Sequence, residues 1–444
     1  MKKINRFGHA GLVLALIVSS LSTAFSQAVA PAASSLISEF DVNGMKVLIK
    51  RRPGTPTVAA GLFIRGGVRN TTAENAGIEN FSLNAATEGS KLFPRQKLRK
   101  ETSRAGTVIG AGANYDFSAI SLACTKANFD TSWQIFIDVA LNPAFAAPDI
   151  ERVRENILTA LKSESDTPEG SLESAYKKTV YAGHPYANGP EGTVVNISKF
   201  QAAELAAYHK NLMQTSRLLL VVVGDVEPTA LQKRIAASFT GVPRGEYKES
   251  PLPAIGFAKP TVDVTSKPVQ TDYVKGTFAA PSIRDDDYYA MRAAMTILQT
   301  RVFQEVRVKR NLSYAPDATL DERSANTASI SVSSVNPNES VSVMLGEIQK
   351  LRQDTIEEDA IGEMSSYFLT TYYLKQETNA AQVAELAQYE LIGGGWRKSL
   401  EFLDRIRKVK PAEVQAVANK YMKNLRFVVV GNPADVSNSI FLQN

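Results

Sequence analysis

Hydrophobic positions along the chain fall into two runs that repeat one order of elements. The first opens on two strand candidates, FDVNGMKVLIKRR and TVAAGLFIRGG. It passes through a helix, further strands and several long helices, and closes on the apolar strand Leu218 to Gly224, LLLVVVG. The second opens on TVDVTSK and DYVKGTFAA and closes on Phe427 to Gly431, FVVVG. Between them, Gly241 to Pro260 carries four prolines and little helical period, the composition of a linker. Like endings followed by Asp-Val and Asn-Pro turns point to an internal duplication. Short strands grouped with long helical runs predict an α+β architecture of two homologous domains, each a mainly antiparallel sheet with helices packed on one face. The expected limits are 36–240 and 261–444, joined by 241–260.

Residues 1–28 read as a secretory signal peptide: Lys2, Lys3 and Arg6, then the apolar run Gly11 to Ser19, then small residues, with cleavage after Ser26 or Ala28. The run is short for a membrane span, so no stable membrane insertion is expected after cleavage, and the location expected is periplasmic or secreted. Removing the leader takes away three cations and no acids, lowering the formal charge from +5 to +2, which leaves no case for nucleic acid as a partner. Cys124 is the single cysteine, so no internal disulfide can form; in AISLAC it reads as a buried strand residue.

The stretch Asn75 to Pro94, NAGIENFSLNAATEGSKLFP, has helix length and an apolar stripe, and places Asn80 and Asn84 on one helical face with Leu83 beside them. It resembles the active-site helix of the insulinase and pitrilysin (inverzincin) zinc peptidases, G-[IL]-A-H-F-x-E-H-M-x-x-x-G-[ST], through Gly77, Ile78, Phe81, Gly89 and Ser90. The resemblance puts the family's two histidine ligands at Asn80 and Asn84 and its glutamate base at Leu83. Counting from Glu151-Arg152 in IERVRENILTALK, the third ligand falls on Ala160. Zinc takes imidazole, thiolate or carboxylate, and its bound water needs a base; a carboxamide is a poor ligand and leucine moves no proton. The expectation is a degenerate site holding no cofactor.

Further segments carry the resemblance on: IRGGVRNTTAENAG, LNPAF, HPYANGPEG and, in the second half, RVFQEVRVKRNLSYAP at 301–316. The last is similar to the family's R-[LM]-F-x-x-[LV]-R-x-K-x-x-L-[AGS]-Y segment, whose arginine and tyrosine point at zinc-bound substrate; here they are Arg307 and Tyr314. Arg307 is expected to close a helix and Tyr314 to start a strand, both projecting from one corner. A guanidinium and a phenol so aimed would stabilise the oxyanion of amide hydrolysis. Where the family often has a G-G-G-x-x-S loop before this helix, the chain has only Leu298-Gln299-Thr300.

His184 in HPY reads as a turn residue bonded to backbone, and His209, beside Tyr208, as a surface position on a helix. The resemblance leaves two functions open. One is the non-zinc-binding subunit of a heterodimeric peptidase, whose H-x-x-E-H-bearing homologous partner holds the zinc and whose substrate is peptide or unfolded polypeptide. The other is a non-catalytic structural or peptide-binding scaffold of the same fold. For peptide capture the candidate sheet edge is Ile109 to Tyr115, IGAGANY.

Overall fold

The computed structural model describes residues 33–443; the leader expected at 1–28 lies outside them. The first stretch, FDVNGMKVLIKRR, is not one strand but a hairpin, β1 (Ile37–Val42) and β2 (Met45–Arg51), turning at Asn43-Gly44. Both turn residues have positive φ, 53° and 91°, the two-residue geometry that Asn-Gly favours. β3 (Thr57–Arg65), β4 (Val108–Ala113), β5 (Phe117–Thr125) and β6 (Leu218–Gly224) complete a sheet ordered β1-β2-β6-β3-β5-β4. The second sheet, ordered β7-β11-β8-β10-β9, is built from β7 (Thr261–Ser266), β8 (Asp272–Ala280), β9 (Asp317–Leu320), β10 (Asn326–Ser334) and β11 (Arg426–Gly431).

The two sheets share a plan. In each, the closing apolar strand pairs parallel with one early strand (β6 beside β2, β11 beside β7), and every other pairing is antiparallel. The hydrophobic run that ends each half therefore lies inside its sheet. All seven residues of β6 are buried, as a strand covered on both faces requires.

The two faces are covered differently. One face of the first sheet packs against that half's own helices, with Val47, Leu62, Ile64 and Val222 meeting Trp133, Phe136 and Ile235. The other face, with Ala59, Phe63, Leu219 and Val221, joins one core with Val383, Leu386 and Ala387 of the helix Asn379–Leu391 from the second half. The first half answers by laying the helix Pro168–Val180 on β8 and β11. Polar bonds pin both crossings. Asn379 Nδ2 donates to Thr57 O (2.7 Å), Lys46 pairs with Glu390 (2.6 Å), Lys275 pairs with Glu173 (3.1 Å), and Arg426 donates to Thr179 O (2.8 Å). Helices thus lie on both faces of each sheet, the second layer being lent by the other half.

Residues 241–260 contain no regular element, but they are tied down along their length. The Arg217 guanidinium stacks on Tyr247 (4.7 Å), His184 Nε2 donates to Pro253 O (3.1 Å), and Asn424 donates to Phe257 O (2.8 Å). Among the described residues no helix is long and apolar enough to cross a membrane.

Candidate functional site

The helix α1 (Ile78–Ala86) crosses β4, the free edge of the first sheet. Gly77 starts it with φ of 89°, and a Cβ there would stand 2.6 Å from Gly192 Cα. A left-handed backbone and this close approach together require glycine, and they dock the helix start on the HPYANGPEG loop. Beyond Gly77 the apolar stripe does the anchoring. Phe81 is sealed in a core with Ile150 and Leu205, and Ser82 donates to Leu205 O (2.9 Å).

Asn80 and Asn84 share the half-buried outer face, as their spacing predicts. The Asn84 amide donates to Asn80 Oδ1 (3.0 Å) and to Asn80 O (2.8 Å), while Ala113 N of the edge strand donates to Asn80 Oδ1 (3.4 Å). Leu83 has no exposure and packs into the core with residues of the sheet. Ala160 lies exposed on the helix Ala147–Asp166. These four positions do not fit zinc. The two carboxamides are engaged with each other, the base position is apolar and sealed, and the third offers a methyl group. Among the described residues, no three His, Cys, Asp or Glu side chains gather as a ligand set.

Beneath this face lies a group that hydrophobic patterning passed over. Glu79 is 3 % exposed, accepts hydrogen bonds from Ser118 Oγ (2.5 Å) and Tyr208 Oη (2.8 Å), and faces Arg217 at 3.5 Å. Burial pushes its carboxyl up, against the pull of Arg217. An acid between Ile78 and Phe81, in an apolar register, was the available signal. At the other end of α1, Glu88 binds Arg152 (3.1 Å) and Arg95, tying the turn after the helix to the helices Ala147–Asp166 and Arg95–Ala105.

His209 corrects the surface placement expected for it. It is 3 % exposed, and its Nε2 donates to Ala140 O (2.8 Å), because a carbonyl can only accept. Burial lowers its pKa to about 4, so the imidazole is neutral. His184 is the turn residue expected: Nδ1 accepts from Tyr186 N (3.1 Å) and Nε2 donates to the interdomain segment. Cys124 is buried in β5.

The Arg307 corner differs from expectation in detail. The helix Asp287–Val302 passes into a π-helical turn, Phe303–Lys309, and Arg307 sits within that turn rather than at a helix end. Tyr314 precedes β9 in the connecting loop, 78 % exposed, instead of starting the strand. The wider turn, which often marks functional positions, is closed by Asn311 N to Arg307 O (3.2 Å) and Leu312 N to Val306 O (2.9 Å). It brings the guanidinium over the Tyr314 ring at 4.0 Å and the Phe303 ring at 5.1 Å. The sequence pair is therefore in contact, stacked, and among the described residues nothing accepts a hydrogen bond from the Arg307 guanidinium. No hydrogen bond, ion pair or ring contact links this corner to Asn80 or Asn84.

Comparison with known proteins shows the family. The family profile described as insulinase (peptidase family M16) matches residues 46–194, and the profile described as peptidase M16 inactive domain matches 199–366. An "uncharacterized zinc protease" of Mycobacterium tuberculosis is 22% identical over 386 residues, covering 84% of this chain and 88% of that protein. Bovine cytochrome b-c1 complex subunit 1 is 24% identical over 231 residues, 52% of this chain and 48% of its own length. In three dimensions, a peptidase M16 inactive domain protein of Pseudomonas fluorescens superposes with a TM-score of 0.83 at 18% identity, covering 89% of this chain and 98% of that one.

Proposed function

The chain belongs to the insulinase (M16) peptidase family, and from that premise we propose that it is the non-zinc-binding subunit of a heterodimeric peptidase. Its homologous partner carries H-x-x-E-H and the zinc, and this chain supplies Arg307 and Tyr314 to peptide bound there. One observation carries the reading: the nucleophile machinery is replaced at Asn80, Leu83, Asn84 and Ala160, while Arg307 stays held by two rings with its donors unspent. In the partner, zinc polarises the scissile carbonyl and activates water. Arg307 donates to the oxygen on which charge builds, and the Tyr314 hydroxyl is its companion donor. The ring contacts hold the guanidinium in place before substrate arrives, so little reorganisation is needed at the reacting centre. The leader at 1–28 supports work outside the cytoplasm. The substrate class is peptide or unfolded polypeptide. β4, paired only to β5 and flanked by α1, offers a free strand edge for an extended segment.

The test is complementation. This chain, mixed with the H-x-x-E-H homologue from the same genome, should cut a quenched unstructured peptide that neither chain cuts alone. A homologue fully active by itself and unchanged by this chain would remove the proposal. A second reading, a scaffold without catalytic part, draws on the likeness of half the chain to the cytochrome b-c1 subunit. It predicts a stable complex whose activity ignores Arg307.

A further inference from the structure

Arg307 is half-buried, and its guanidinium lies 5.1 Å from the Phe303 ring centroid and 4.0 Å from that of Tyr314. Among the described residues no acceptor takes a bond from it, so its donors face outward. The carboxylate in the same turn is committed elsewhere: Glu305 accepts from Lys309 (2.6 Å) and from Arg310 (2.5 Å). Val308, Tyr314 and Val335 are 58 %, 78 % and 74 % exposed on this turn and the strand end that adjoins it, among the exposed polar Gln304, Lys309 and Arg310. Val335 follows Ser334, whose hydroxyl donates to Leu312 O (3.0 Å), so the end of β10 is drawn beside the Tyr314 loop.

We propose that this corner is a carboxylate receptor that binds the free carboxyl terminus of a peptide whose last side chain is apolar. A planar fork of N–H donors matches the two oxygens of a carboxylate, a pairing that lysine's point charge cannot reproduce. The two rings rest against the fork, and the exposed Tyr314 ring, with Val308 next to Arg307 in the chain and Val335 at the adjoining strand end, offers apolar surface for the terminal side chain. Taken with the function proposed above, on which this part rests, the ligand has an obvious source. When an amide is hydrolysed, water oxygen joins the carbonyl carbon, the C–N bond breaks and the amine leaves with the proton. The carbon retains two oxygens as a carboxylate, where the oxyanion stood. Arg307 would then hold the amino-terminal product after the cut, and peptide acids would inhibit the pair competitively.

The test uses the mature chain alone, with arginine side chains labelled with nitrogen-15, and two probes differing in one group: acetyl-Ala-Ala-Phe with a free carboxylate, and the same peptide as its carboxamide. The acid should shift the Arg307 Nε resonance and bind about tenfold or more tightly than the amide. Acetyl-Ala-Ala-Ser acid should bind more weakly than the phenylalanine acid. Arg307→Lys, which keeps the charge but not the fork, should remove the preference for acid over amide. Phe303→Leu should weaken acid binding while Phe303→Tyr restores it. Equal affinity for acid and amide, or acid binding that survives Arg307→Ala, would overturn the proposal. The two readings fail separately. Acid and amide alike, with turnover of the mixed subunits still dependent on Arg307, removes the receptor and leaves the oxyanion role. Selective acid binding, with turnover indifferent to Arg307, does the reverse.

Discussion

Leu83 is sealed in the core beneath the first sheet, so the position that the family resemblance assigns to a base is not a vacant catalytic seat. Leu83→Glu would place an unpaired carboxylate among apolar side chains and should cost about 3–5 kcal/mol, whereas Leu83→Met should cost under about 1.5 kcal/mol; urea denaturation of both variants checks this. His209 gives a second residue-scale expectation. Its folded pKa of about 4 lies below the ordinary 6.5, so between those values the unfolded chain binds the extra proton. Stability is therefore fully present above pH 6.5 and falls as pH drops toward 4, by about 3 kcal/mol in all. A variant His209→Gln, compared with wild type by thermal melts across that window, should show a flatter profile. An equal slope would mean that His209 is not the group responsible. Neither residue's environment could be read from local sequence, because Leu83 looked like part of a ligand face and His209 like a helix surface.

At the scale of elements, the apolar runs were legible. LLLVVVG and FVVVG became the interior strands β6 and β11, and the helix face of Asn80 and Asn84 formed as the four-residue spacing requires. What escaped depended on contacts distant in sequence or on backbone detail. The Asn43-Gly44 turn was a visible hairpin signal inside a stretch taken as one strand. The π-helical turn that places Arg307 over Tyr314 leaves no mark on hydrophobic periodicity. The buried setting of Glu79 depends on Ser118, Tyr208 and Arg217, which come together around it from distant parts of the chain. The docking of α1 makes its own prediction. Gly77→Ala must adopt φ near 89° and meet Gly192, so it should destabilise by about 1–3 kcal/mol. Gly112→Ala, in open space on the edge strand, should cost far less; equal losses in chemical denaturation would contradict this placement.

Across the whole molecule, the exchange of helices matters more than the linker. Each half completes the other's core, and the described residues 33–443 belong to one compact unit. A single engineered protease cut within 241–260 should leave both halves co-eluting in native buffer, separating only in denaturant. Dissociation on cutting would show that the linker, not the shared core, holds them. A shared core of this kind suits a subunit that presents a preformed corner to a partner. That claim is tested most directly by the turnover of the reconstituted pair carrying Arg307→Ala. The account predicts a fall of about 10²–10³-fold, the usual loss for one oxyanion donor, with co-elution unchanged. Full turnover in an intact complex would contradict it.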